Sequence, residues 1–167
     1  HVSCRHPIDP KKIIYRIYEK GFSFSLDFIL SSAWQQMAKT AVWLQHAKYI
    51  FVNSQELEIL WDIKNISSIH TLIVTSGSQP VRVFKFGHEV LRQDCSTVKF
   101  CDVTGAGDVL IGAFLASQLR GDDLQESLDK AICLAQKSLR STGVLQFFYR
   151  NNTAQQGLPP DAACAAG

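Results

Sequence analysis

The sequence lacks long apolar runs and a strong charge of either sign. No stretch approaches the ~20 consecutive apolar residues that a membrane-spanning helix needs, and no charged start and apolar middle indicate a secretory signal. There are 17 Lys and Arg residues and 15 Asp and Glu residues, a formal net charge of +2. The basic residues are scattered, which argues against nucleic acid as a partner. We therefore expect a cytoplasmic protein without membrane contact.

The sequence is also poor in methionine and in paired cysteines. Its single Met is Met37 and its first residue is His1, so we expect a fragment or a partial sequence. No C-x-x-C pair and no Cys/His spacing typical of zinc is present. The scattered cysteines predict reduced thiols. They are Cys4, Cys95, Cys101, Cys133 and Cys164.

Strand-like apolar segments alternate with segments of helical period along most of the 167 residues. This alternation predicts an α/β layered fold with a largely parallel central sheet flanked by helices. The Asn-, Gln-, Pro- and Ala-rich residues 150–167 predict a poorly ordered tail. The predicted helices are 9–21, 32–47 (with Trp34, Met37, Ala41 and Leu44 on one face), 53–62, 107–119 and 123–141, and the predicted strands are 22–27, 49–52, 70–75, 81–86, 89–91 and 96–100.

Three polar clusters follow predicted strands. They contain Asn53 and Glu56, Thr75 and Gly77, and the run 102–108. Ligands of parallel α/β sheets bind at the carboxyl ends of the strands, so these clusters predict a binding site. A helix cap is an alternative role for Asn53.

The run Thr104-Gly-Ala-Gly-Asp108 precedes a strongly apolar helical segment. Its two glycines allow backbone N–H groups to turn towards one point. At a helix N-terminus, such groups and the helix dipole favour an anion such as phosphate. A carboxylate beside that point, Asp108, could accept a proton from an attacking hydroxyl. The run predicts phosphoryl transfer, although a purely structural helix start remains an alternative.

The segment D-V-T-G-A-G-D, residues 102–108, followed by V-L-I-G-A-F-L-A, resembles the C-terminal signature of the PfkB (ribokinase-like) carbohydrate kinases. The resemblance implies that Asp108 is the base that deprotonates the acceptor hydroxyl of an ATP-dependent kinase. It also implies that the amides of Gly105, Ala106 and Gly107 stabilise charge on the transferred phosphoryl group.

Two weaker matches occur in the family's order. Asn53-Ser-Gln-Glu56 resembles the N-x-x-E pattern, which implies a role in placing magnesium and phosphate, with Glu56 acting through water. Thr75-Ser-Gly77 resembles the T-x-G element that contacts nucleotide phosphates. The sequence departs from the family at Pro80, where a second glycine is usual. Because proline fixes φ and removes an N–H, this change puts the nearby loop geometry in doubt.

The resemblance covers roughly residues 8–146. It implies that residues 1–149 are the ATP-side half of a ribokinase-like fold, truncated at its N-terminus. Some members of the family bind a monovalent cation, K⁺, near positions that match Asp102 and Thr104. The missing strands would leave an exposed sheet edge, so we expect a homodimer or association with another chain through that edge.

Three functional hypotheses stay open. The first is transfer of the γ-phosphate of ATP, with Mg²⁺, to a sugar hydroxyl. The second is a nucleoside kinase of the same family, acting on a pseudouridine- or adenosine-like substrate. The third is a truncated, inactive nucleotide-binding remnant. The acceptor contacts of the family lie mostly in the half that this chain lacks, so the sequence does not choose among them.

Overall fold

The computed structural model describes residues 1–5, 7, 9–95 and 103–140. The chain divides into two units, His1–Cys95 and Ser96–Gly167. The first contains strands β1 (Val2–Cys4), β2 (Ser25–Phe28), β3 (Tyr49–Asn53), β4 (Leu72–Ser76), β5 (Gln79–Lys85) and β6 (His88–Gln93), and helices α1 (Lys11–Glu19), α2 (Ala33–Thr40) and α3 (Ser54–Ile63). The second contains helices α4 (Ala106–Leu119) and α5 (Leu124–Ser138).

The strands of the first unit form one sheet in the order β1-β2-β3-β4-β5-β6. The first four are parallel and each is followed or preceded by a helix, whereas β5 pairs antiparallel with β4 and β6 pairs antiparallel with β5. Successive side chains of a strand point to opposite faces. Those of one face form the core with the helices, and this core includes Leu26, Ile50, Leu72, Ile14, Met37 and Leu57. The predicted largely parallel α/β sheet is confirmed.

The antiparallel part of the sheet is irregular in two places. Thr75 of β4 faces two residues of β5, Pro80 and Val81, because the pairing shifts by one residue there. Proline is tolerated at such bulges because its missing N–H has no ladder partner to lose. A second shift lies opposite Val90, and Glu89 and Arg92 on either side of it form an ion pair of 2.7 Å.

The described part of the second unit, residues 103–140, contains a helical hairpin. Phe114 of α4 and Leu128 of α5 are fully buried. In the connection, the side-chain amide of Gln118 donates to the backbone carbonyl of Asp122 at 3.1 Å and to Ser127 Oγ at 2.8 Å. Asp122 accepts from Ser117 and from Lys130, the latter at 2.7 Å. In the part of the chain that the structure describes, no helix is long and apolar enough to span a membrane.

The predicted helix 32–47 is wrong in its second half. Helix α2 ends at Thr40, and a separate 3₁₀ turn covers Leu44–His46. Thr40 Oγ1 donates to the Gln36 carbonyl at 2.8 Å, a backbone-directed bond that weakens a helix interior. The predicted inward face is also partly wrong, since Trp34 is 58 % exposed.

One observed strand has no predicted counterpart, and two predicted segments have no described residues. Strand β1 was not predicted from the sequence. The predicted strand 96–100 and the predicted tail 150–167 lie outside the described residues, so both stay predictions.

Candidate functional site

Asn53 and Glu56 form the start of α3. Asn53 Oδ1 accepts the Glu56 N–H and Glu56 Oε2 accepts the Asn53 N–H, both at 2.9 Å. This reciprocal pair is a capping box, which satisfies two backbone donors that a helix start leaves unpaired. The helix-cap role of Asn53 is therefore present in the structure, whatever ligand the pair also contacts.

The Glu56 side chain is unusual for a helix start because it is only 5 % exposed. Burial raises the pKa of this carboxyl above its usual range, and the nearby charge of Asp27 raises it further. The backbone amide of Asn53, which donates to Oε2, acts in the opposite direction. Glu56 is thus a buried carboxylate that is hydrogen-bonded to the backbone at the end of β3.

Thr75 and Gly77 lie beside this helix start. Asn53 and Thr75 are direct neighbours in the parallel pairing of β3 and β4. The Ser76 hydroxyl donates to Ser54 Oγ at 3.3 Å, which links the end of β4 to the first turn of α3. Gly77 is exposed in the tight turn to β5 and has a φ of 54°. Pro80 lies within β5 at the bulge opposite Thr75, and its predicted effect on the nearby loop stays a prediction.

Asp27 is a site residue that the sequence analysis did not select. It lies on β2 next to Phe51 of β3, and its side chain is 10 % exposed. Among the described residues Oδ1 has no hydrogen-bond partner of acceptable geometry, although His1 Nε2 lies 3.3 Å away. Burial raises its pKa above the usual range, and the positive charge of Arg5 acts in the opposite direction. The signal in the sequence that could have identified Asp27 was its position at the end of the predicted strand 22–27.

The second unit contains the Gly-rich segment. Gly105 precedes α4 with a φ of 77°, a left-handed conformation that disfavours any residue with a side chain. Its carbonyl accepts the Val109 N–H at 2.9 Å, the first bond of the helix. A side chain at Gly107 would meet nothing within 4 Å, so the space beside this turn is open. Asp108 follows in the first turn, with an exposed side chain.

Thr104 and Asp102, two further predicted site residues, immediately precede this segment. Thr104 is exposed, immediately before Gly105. Asp102 lies outside the described residues, so its predicted contact with K⁺ stays a prediction.

The structure brings Asn53, Glu56, Thr75 and Gly77 together at the carboxyl ends of β3 and β4 within the first unit. Residues 104–108 form a separate group within the second unit. Across the described ranges, no cluster of three or more His, Cys, Asp or Glu side chains could hold a metal by itself.

Comparisons with known proteins give relatives over most of the chain. An uncharacterised sugar kinase from Archaeoglobus fulgidus is 27 % identical over 164 residues, covering 93 % of this chain and 61 % of the relative. A protein from Escherichia coli, assigned as a ribokinase II and solved with ATP and Mg²⁺, matches with a TM-score of 0.70 and 17 % identity, over 87 % of this chain and 53 % of that one.

A third relative is an archaeal nucleoside kinase of the ribokinase family, from Methanocaldococcus jannaschii. It matches with a TM-score of 0.67 and 21 % identity, over 81 % of this chain and 48 % of that one. The chain therefore has the ribokinase fold, and it spans about half the length of these solved structures. Residues 19–148, well over half of the sequence, match the pfkB family carbohydrate kinases. The chain belongs to the pfkB family of carbohydrate kinases.

Proposed function

We propose that this chain contributes to ATP-dependent phosphorylation of a sugar hydroxyl, with Asp108 as the base. The observation that carries the proposal is the start of α4. There an exposed carboxylate sits in the first turn, next to open space at Gly107 and after a left-handed Gly105. The sugar kinase among the relatives supports a sugar as the acceptor.

In the proposed reaction, the acceptor hydroxyl attacks the γ-phosphorus of ATP and gives its proton to the Asp108 carboxylate. The new oxygen–phosphorus bond forms as the bond to the β,γ-bridging oxygen breaks, and ADP leaves with the bond's electron pair. The amides of Gly105 and Gly107 stabilise the negative charge on the transferred group. The N–H of Ala106, which the sequence also suggested for this role, instead donates to the Val103 carbonyl at 3.3 Å. The helix dipole adds to this effect because its positive end lies at the same turn.

Mg²⁺ fits the carboxylates of the first unit. The ion prefers oxygen ligands and keeps several of its waters, so one or two carboxylates are sufficient. Glu56 would hold it through water, and Asp27 supplies a buried oxygen without an accepted hydrogen bond among the described residues. When bound, Mg²⁺ would neutralise charge on the nucleotide phosphates. Asn53, Thr75 and Gly77 would contact those phosphates from the neighbouring strand ends. We keep K⁺ near Asp102 and Thr104 as a further proposal.

A nucleoside acceptor is the second candidate. It is favoured by the structural similarity to the archaeal nucleoside kinase. A third candidate, nucleotide binding without transfer, follows from the chain's span of about half of its solved relatives. The three candidates differ in one observable, the acceptor dependence of ADP formation.

The test incubates the full chain with ATP and Mg²⁺ and follows ADP formation across a panel of sugars and nucleosides. Asp108→Asn should lower turnover by ~10²–10⁴-fold, the usual contribution of a general base. Asp129→Asn, which removes an exposed carboxylate of α5, is the matched control and should keep the wild-type rate. ATP binding without acceptor-dependent turnover would support the third candidate, and an unchanged rate for Asp108→Asn would contradict its role as base.

A further inference from the structure

The turn between β4 and β5 has little in its own backbone to fix its position. Ser76, the last residue of β4, pairs with Gln79 across a two-residue turn that begins at Gly77. Gly77 has a φ of 54°, and glycine tolerates several backbone conformations. On the other side of Ser76 the pairing shifts by one residue at Thr75, and such a bulge disrupts the ladder locally. The position of this turn therefore depends on contacts outside the hairpin.

One such contact joins the turn to the start of α3. The Ser76 hydroxyl donates to Ser54 Oγ at 3.3 Å, and both residues are partly buried. Ser54 is the first residue of α3 and follows Asn53, the N-cap of the helix. Leu57 and Leu60 of the same helix belong to the buried core, so α3 is firmly anchored. The hydrogen bond thus connects a weakly held turn to a firmly held helix.

We propose that Ser76 is a positioning residue, whose hydroxyl holds the β4–β5 turn against the first turn of α3. The proposal rests on the proposed function for its consequence, because Gly77 in this turn and Thr75 at the strand end are proposed phosphate contacts. Thr75 also pairs in register with Asn53, a third such contact. In this role Ser76 acts through Ser54 and does not itself touch the nucleotide, so removal of either hydroxyl has the same effect.

A double-mutant cycle separates a bond between the two serines from a direct contact with the ligand. The variants are Ser54→Ala, Ser76→Ala and the two combined. Ser78→Ala is the matched control, because Ser78 lies exposed in the same turn. In calorimetry on the full chain with Mg²⁺, we expect each single variant to bind ADP about 2- to 10-fold more weakly, the usual effect of one neutral hydrogen bond. The combined variant should bind as each single one does, and Ser78→Ala should match the wild type.

The same titration gives the results that would overturn the proposal. Weaker binding in Ser76→Ala with none in Ser54→Ala would mean that Ser76 touches the nucleotide directly. Losses that add in the combined variant would mean two independent roles, and unchanged affinity in both single variants would mean that the bond does not act on the site. Ser76→Thr keeps the hydroxyl and should bind ADP as the wild type does, whereas a loss equal to that of Ser76→Ala would count against the hydroxyl.

A second measurement needs no nucleotide. The order parameter of the Gly77 backbone, from ¹⁵N relaxation of the ligand-free chain, reports how firmly the turn is held. We expect it to fall in both Ser54→Ala and Ser76→Ala and to keep its wild-type value in Ser78→Ala. Equal order parameters in the wild type and both variants would overturn the positioning role. If the unsubstituted chain binds no ADP, the proposed function fails, whereas the order parameters still decide whether Ser76 holds the turn.

Discussion

Gly87 offers a test of how closely the β5–β6 hairpin approaches the rest of the first unit. It forms the tight turn with Phe86 and has a φ of 82°. A Cβ built at Gly87 would lie 3.2 Å from Ser67 Cα and 3.3 Å from Ser67 N, both backbone atoms. Gly87→Ala therefore meets two penalties, the left-handed backbone and a neighbour that yields only by moving the chain.

The size of the effect follows from these two causes. A left-handed conformation costs an L residue about 1–2 kcal/mol. The entropy that Ala removes from the unfolded chain offsets about 0.4–1 kcal/mol of this. Gly21, with a φ of 72° and nothing within 4 Å of its Cβ position, isolates that backbone contribution. Overpacking against Ser67 adds at least ~1 kcal/mol at Gly87.

Urea denaturation of both variants gives the comparison. We expect Gly21→Ala to lower the free energy of unfolding by about 0.5–1 kcal/mol and Gly87→Ala to lower it by about 2 kcal/mol, with unchanged m-values. The difference between the variants measures the contact with Ser67, since both share the left-handed backbone. Equal losses of stability would refute the close approach of the hairpin turn to Ser67.

Three further predictions concern ionisable groups. Burial raises the pKa of Cys4 to about 12, so alkylation at pH 8 should modify exposed Cys133 in the native protein and Cys4 only after unfolding, as mass spectrometry would show. Lys130 holds the pKa of Asp122 below its unfolded value of 3.8, and this contribution to stability is present above that pH and lost as the pH falls. Lys130→Ala should raise that pKa in an NMR titration, and an unmoved value would contradict the ion pair. Because burial disfavours the Asp27 carboxylate, Asp27→Asn should raise the urea midpoint at pH 7 while lowering Mg²⁺-dependent turnover, whereas a lowered midpoint would mean that the charge stabilises the fold.

The sequence alone was sufficient to predict an element where a few neighbouring residues determine its backbone conformation. Asn53 was identified as a possible helix cap from the sequence, and it is the N-cap of α3, where Glu56 completes a capping box. The apolar segment 49–52 identified β3 because a strand covered on both faces needs no polar alternation. The α/β class followed from the succession of such segments.

The elements and the site residue that were not predicted depend on contacts between side chains and strands, which a single sequence does not show. Strand β1 has three residues, too few for a period, and its pairing with β2 defines it. Helix α2 ends at Thr40, whose hydroxyl donates to the Gln36 carbonyl, and the apolar spacing gave no sign of this end. Asp27 was overlooked because its importance comes from burial and from the neighbouring charge of Glu56.

The consecutive order of the strands has a consequence for how the chain folds. Val2 pairs with Leu26 and Ser25 with Tyr49, so each strand finds its neighbour 24 residues later in both cases. The entropy lost on closing a loop grows with loop length, so a pairing at this separation costs less than one that spans the whole unit. During synthesis each new strand can dock on an edge that already exists, so the sheet of the first unit can grow in the order in which the ribosome releases it.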